Sequence, residues 1–230
     1  MKERAVRKNI WSRLAYGYLR LLEKTVRIEW QQPEQFSGNN VVGFWHEDSF
    51  AMNLVLKAGK KDSVSVLVTP DEQGEYLRYL LKKCGGQAVG IGYGFCNAGT
   101  LKEILESLKA GNQSVAVAMD GPFGPRHIPK KLTYFLSEKS RAELVGITVS
   151  YSRAITLSGR WDHGHIPLPF SKITVRFDNY GVAACQRPPQ IRLYQDERNC
   201  SIMSADRLLT QRGTVFEGIS TGLAGQRQRI

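Results

Sequence analysis

Val41-Val42-Gly43-Phe44-Trp45-His46-Glu47-Asp48-Ser49 is an apolar run that breaks at His46 into a polar turn. A short apolar run without alternation reads as a strand buried on both faces, the pattern of a parallel sheet. The spacing predicts the strand over Val41 to Trp45 and a helix over Ser49 to Lys57. The same unit recurs outward from there. Strands are expected at Val64 to Thr69, Ala88 to Ile91 and Val115 to Met119, then at Leu144 to Tyr151 and Ile173 to Phe177. Helices are expected at Glu72 to Lys83 (closed by Gly85-Gly86), Thr100 to Lys109 (stopped by Gly111) and around Leu132 to Lys139. Strands alternating with helices predict an α/β fold with a mostly parallel central sheet flanked by helices.

Composition bounds what such a fold serves. The chain has 230 residues and 42% hydrophobic residues, enough for one α/β domain with a full core. A formal charge of +11 calls for an anionic partner. Nucleic acid has only the charge in its favour, since helix-turn-helix, zinc-finger and aromatic ribonucleoprotein words are missing, so no nucleic-acid partner is expected. Cys84, Cys96, Cys185 and Cys200 form no Cys-x-x-Cys pair, which fits free thiols in a reducing compartment and no metal site. No apolar stretch reaches the roughly 20 residues of a spanning helix, and a cleaved signal is not expected.

The N-terminal segment has two compatible readings. On a helical wheel, Arg13, Arg20, Lys24 and Arg27 share one stripe, opposite Trp11, Leu14, Ala15, Tyr18, Leu22 and Val26. Such a helix can pack on its own domain, or lie in a bilayer interface with its cations toward anionic lipid. The expected organisation is therefore an amphipathic membrane-interface helix over 1–30, an α/β domain over 31–180 and a peripheral C-terminal tail over 181–230.

Two segments carry candidate chemistry. His46 sits where a strand gives way to a helix, and the positive end of a helix disfavours imidazolium. A neutral imidazole there suits a general base, although a structural histidine bonded to backbone fits the position equally well. Asp120 opens Asp120-Gly121-Pro122-Phe123-Gly124-Pro125-Arg126, a loop stiffened by two Gly-Pro steps. It is either a turn aspartate or a carboxylate that orients the histidine or an acceptor, with Arg126 offering a fork to an anion. Asp162, His163 and His165 are metal ligands by type, yet no further His/Cys set supports a metal, and the rim of a pocket is the expected role. The Gly90, Gly92 and Gly94 run lacks the spacing of a dinucleotide loop.

Thr25-Val26-Arg27, Val41 through His46, Asp120 through Arg126, and Trp161-Asp162 through Ile166-Pro167-Leu168-Pro169-Phe170-Ser171 fall in the order and spacing of a known family. Over about residues 15 to 178 the chain resembles the bacterial lysophospholipid-acyltransferase-like branch of the glycerolipid acyltransferase superfamily. The resemblance implies a glycerolipid acyltransferase-like fold and an enzyme moving a fatty acyl group from acyl-CoA or an acyl carrier protein to a lysolipid or related acceptor. His46 would be the base. Asp120 or Asp48 (or Glu47) would orient it, and Gly121, Pro122, Gly124, Arg126, Trp161 and Asp162 would contact substrate. No cofactor beyond the acyl donor is implied, and the expected place is peripheral, on the cytoplasmic face of the inner membrane. The chain departs from the family twice: the aspartate five residues after the histidine is Ala51, and the arginine of a Val-Arg-Gly-Ser-Ser word falls on Gly90. A non-catalytic lipid-binding protein that retains the fold is the alternative.

Overall fold

The run at Val41 does form a strand buried along its whole length. A computed structural model of the chain describes residues 2–36, 38–58, 64–69, 72–84, 86–92, 98–111, 113–193 and 201–202, with no side-chain description for 2–11, 72, 73, 76, 201 and 202. Expectations for Trp11, Gly85, Gly94, Cys96, Cys200 and the tail over 203–230 lie outside the described residues.

The elements in chain order are α1 (Lys2–Thr25), β1 (Arg27–Gln31), β2 (Asn40–Phe44), α2 (Ser49–Ala58), β3 (Val64–Val68), α3 (Glu72–Lys83) and β4 (Gln87–Gly90). There follow α4 (Ala98–Lys109), β5 (Ser114–Ala118), α5 (Lys131–Ser140), β6 (Glu143–Tyr151), β7 (Ala154–Thr156), β8 (His165–Pro167) and β9 (Lys172–Asn179). One sheet of seven strands runs in the order β1-β9-β6-β2-β5-β3-β4. Every neighbouring pair in it is parallel except β6 with β9. The protein is thus an α/β fold with a mostly parallel sheet flanked by helices.

Successive side chains of a strand point to opposite faces, and the core divides accordingly. Val42 and Phe44 of β2 pack with Val66, Ala116, Val145 and Ile147 beneath α1, α2 and α3. Val41, Val115, Val117 and Leu144 face the other way, against Ile104 and Leu108 of α4 and Tyr134 and Leu136 of α5. Each fully buried Leu or Val contributes roughly 1.5–3 kcal/mol, so the central strands dominate the stabilisation.

The N-terminal helix ends at Thr25, and residues 27–31, expected to close it and open a linker, form β1 in register with β9. An edge strand with a half-polar pattern gains its identity from its partner, and that partner is about 145 residues away along the chain. Leu19 and Leu22 of α1 are fully buried, and the Tyr18 hydroxyl donates to the Pro167 carbonyl at 2.7 Å. Leu14, expected on the inward stripe, is instead 59% exposed, as Leu21 is at 46%. The helix rolls onto Leu19 and Leu22, which turns Leu14 toward the surface. Ala183, Ile191 and Leu193 are buried against the α4/α5 face, so the chain just past residue 181 packs on the core. Among the described residues, no helix is long and apolar enough to cross a membrane.

Candidate functional site

In a parallel sheet, a crevice opens where the helices after two adjacent strands leave to opposite faces. β2 and β5 are neighbours, and α2 packs on one face while α5 packs on the other. His46 follows β2 and Asp120 follows β5, so both stand at that crevice. His46 begins a single 3-10 turn, His46–Asp48, that runs into α2.

Asp120 is fully buried, and its Oδ1 accepts the backbone N–H of His46 at 3.0 Å. Its Oδ2 accepts the backbone N–H of His127 at 3.4 Å. The carboxylate therefore ties the two strand-end turns together through their main chain. Burial pushes its pKa up, against the backbone donor and the charge of His46.

The carboxylate that faces the His46 ring is Asp162, with Oδ2 4.0 Å from Nε2, an ion-pair distance longer than a hydrogen bond. Arg160 grips the same carboxylate from Nε and Nη2 at 2.9 and 2.8 Å. Burial raises Asp162, but the Arg160 pair outweighs it and holds the group below its usual range. The Trp161 indole lies 5.2 Å from the imidazole, ring centre to ring centre.

Asp48 is buried and bonded elsewhere: the Tyr151 hydroxyl donates to its Oδ1 at 2.7 Å, and His165 Nδ1 stands 3.7 Å away. Burial pushes the Asp48 carboxyl up, and the pull of His165 and Tyr151 does not cancel that. The Asp48 pair in turn raises His165, against burial. Asp162 and His165 thus serve two different partners, and His163 stands apart at a left-handed φ of 50°. The Asp-His-x-His word does not converge on one point.

Arg126, expected to offer its fork to an anion, closes on Glu47: Nε donates to Oε2 at 2.6 Å, with Nη2 on the same oxygen. His127 Nε2 donates to the other oxygen at 2.9 Å, with its ring edge-on to Trp45. Burial alone would raise Glu47, but His127 and Arg126 together hold it low. Glu47, Asp48 and His165 bring ligand atoms within 4.8 Å of one another, yet the Arg126 guanidinium on Glu47 opposes a cation there.

Gly121 and Gly124 take positive φ, 67° and 65°. At Gly124 a Cβ would stand 2.6 Å from Trp161 Cε3, so only glycine lets the loop and the indole lie together. Gly124→Ala is expected to cost about 1–3 kcal/mol from the left-handed backbone and the displaced indole. Urea unfolding followed by tryptophan fluorescence would show a lower midpoint and a shifted native emission.

Two cavities meet at His46. A small apolar chamber of about 100 Å³ lies behind it, lined by Phe44, Met52, Val66, Leu77, Gly121 and Pro122 among others. An open groove of about 530 Å³ also meets His46, lined by the apolar Leu14, Tyr18, Phe50, Leu77, Leu157 and Ile166 and by the polar Arg160, Asp162 and His165. Its walls are apolar and its polar groups cluster at His46, the usual composition of a small-molecule site. At Gly90 a Cβ would meet Arg78 Nη2 at 2.9 Å, so a guanidinium from α3 lies over the position where the family word has arginine.

His127, Tyr151 and Arg160 had no signal of their own in the sequence. His127 could have been suspected as the neighbour of Arg126 on a stiff loop; Tyr151 ends a strand and Arg160 sits in a turn, like many ordinary residues. Ala51 lies on the inward face of α2, fully buried in the core, so the position five residues after His46 faces away from the groove. No known family model matches this chain, and no curated protein matches it.

Proposed function

We propose that the chain is an acyltransferase of the glycerolipid type, moving a fatty acyl group from an acyl thioester to a lysolipid or related acceptor. The observation that carries this is the position of His46, which lines both the apolar chamber and the open groove. An acyl chain needs an apolar bed, and the reaction needs a base at its reactive end. A chamber of about 100 Å³ is too small for a fatty chain, so the groove of about 530 Å³ is its bed.

His46 takes the acceptor proton and Asp162 steadies the imidazolium that results. The acceptor oxygen attacks the thioester carbonyl directly, with no covalent acyl-enzyme. Asp120 and Glu47 act on the backbone and the loop, holding His46 at the mouth of the groove. Acyl-CoA or an acyl carrier protein is the donor, and no other cofactor takes part.

Membrane contact arises on the same side of the molecule. Leu14 lines the groove and is largely exposed, with Leu21 exposed one further stretch along α1. Arg13, Arg20 and Lys24 are on the same helix, and all three are exposed. Each basic side chain near an anionic bilayer contributes about 1 kcal/mol, so α1 serves as a peripheral anchor on the cytoplasmic face of the inner membrane.

Purified protein incubated with palmitoyl thioester and lysolipid in anionic vesicles tests this. Free thiol and acylated lipid are expected to form one for one. Lipid binding without thiol release would instead support the non-catalytic alternative.

A further inference from the structure

Two segments far apart in sequence meet at the groove as crossed pairs. His46 faces Asp162, and Asp48, two residues on, faces His165. Each segment gives one imidazole and one carboxylate, and both imidazoles line the same groove. Acyl transfer as described above uses only His46. A second histidine with its own buried carboxylate stands beside it.

The surroundings of His165 are specific. Its Nδ1 is buried and stands 3.7 Å from Asp48 Oδ1, which leaves Nε2, across the ring, as the nitrogen nearer the groove. The Tyr151 ring lies 5.3 Å from the imidazole, centre to centre, and the Tyr151 hydroxyl fixes the same Asp48 oxygen. Glu47 on the same turn adds negative charge, and Arg126 from the loop after β5 opposes it. His46, Arg160 and Asp162 line the same groove. Asp48 is the largest influence, and it favours a protonated ring. A base must be neutral and an electrophile positive, so two imidazoles in unlike environments can divide those tasks.

We propose that His165, backed by Asp48, is a second catalytic residue whose cationic imidazole stabilises the negative charge developing on the thioester carbonyl oxygen. The proposal rests on the acyl-transfer assignment and names the group that completes it. His46 withdraws the acceptor proton as the acceptor oxygen bonds to the carbonyl carbon. The carbonyl π pair moves onto its oxygen, facing His165 Nε2–H. When that oxyanion collapses, the C–S bond breaks, the thiolate leaves with the pair, and it takes up the proton held by His46. His165 keeps its proton throughout, and no oxidant or further reactant is needed.

The pH profile of transfer separates this role from a structural brace. With palmitoyl thioester and lysolipid in vesicles, wild type is expected to give a bell-shaped profile, with the acid limb from His46 and the alkaline limb from His165. His165→Leu is expected to lower kcat about 10²–10³-fold, the usual effect of losing one oxyanion donor. His165→Gln, which keeps a neutral donor, is expected to lose the alkaline limb and retain part of the rate. Asp48→Asn is expected to move that limb to lower pH. If the leucine variant does not fold, NMR titration of the unliganded protein decides: one histidine must titrate above the ordinary value of about 6.5 and move down in Asp48→Asn. A folded His165→Leu protein within threefold of wild type, with its alkaline limb intact, overturns this proposal and leaves the acyltransferase assignment standing. A wild-type chain that never transfers acyl groups overturns both.

Discussion

Replacing His46 by alanine is expected to lower acyl transfer about 10²–10⁴-fold while leaving the protein folded. That fall corresponds to roughly 3–5 kcal/mol of transition-state stabilisation. The fold should survive because the link between His46 and Asp120 runs through the backbone N–H, which alanine keeps. The lost ring rests mainly against Trp161 and the groove, so packing there accounts for only a small part of the core. Unchanged far-UV circular dichroism together with lost thioester turnover would verify both halves. Transfer near the wild-type rate would remove His46 from the chemistry.

The second large effect is on stability, and it runs against a natural repair. Installing the family's carboxylate by Ala51→Asp is expected to unfold or severely destabilise the protein without raising activity. Ala51 is fully buried among Met52, Leu54, Val55 and their core neighbours. A carboxyl with no partner in such a place has its pKa lifted by about 3–5 units. At pH 7 such a group stays largely protonated in the fold, which limits the ionisation penalty to about 4 kcal/mol, added to the cost of burying an unpartnered neutral carboxyl. Domains of this size hold only about 5–15 kcal/mol in total. The sign with pH is fixed as well. A raised carboxyl penalises the folded state progressively above its unfolded value of about 4, so the variant should be closer to wild type at pH 4 than at pH 8. Thermal unfolding at the two pH values measures this. A variant as stable as wild type at pH 8 would mean that residue 51 reaches solvent or a cation.

Ala51 also explains why a match to the family's histidine word misleads at its second member. The turn over His46–Asp48 and the start of α2 place the fifth residue on the inward face of the helix. Asp162, from the other side of the crevice, occupies the place beside His46 instead.

How far the sequence itself disclosed the molecule depends on which forces are local. The buried strand at Val41 and the helix over Glu72 to Lys83 were legible because an unbroken apolar run and a helical repeat are each complete within a few residues. Asp120 was legible as a strand-end carboxylate because the loop it opens is punctuated by glycine and proline. β1 was not, since Arg27–Gln31 becomes a strand only by pairing with Lys172–Arg176. The crossed pairs His46–Asp162 and Asp48–His165 were beyond reach for the same reason. They depend on how the β7/β8 hairpin returns over the turn before α2, and no spacing along the chain encodes that. The closing of Arg126 on Glu47 is a further case, for a free fork and a paired one are spelled alike in sequence.

A fatty chain lying in the groove before His46 is the central claim, and labelling it in place tests it most directly. A palmitoyl thioester bearing a photoreactive group along its chain would be bound to the His46→Gln protein, which should retain it unreacted, and the labelled peptides mapped by mass spectrometry. Adducts are expected along the groove, on Leu14, Tyr18, Phe50, Leu77, Leu157 or Ile166. The competing apolar cavity, about 310 Å³ between Trp30, Phe36, Val42 and Phe177, lies at the opposite ends of the strands from His46. Labels gathered there, with none in the groove, would contradict that placement.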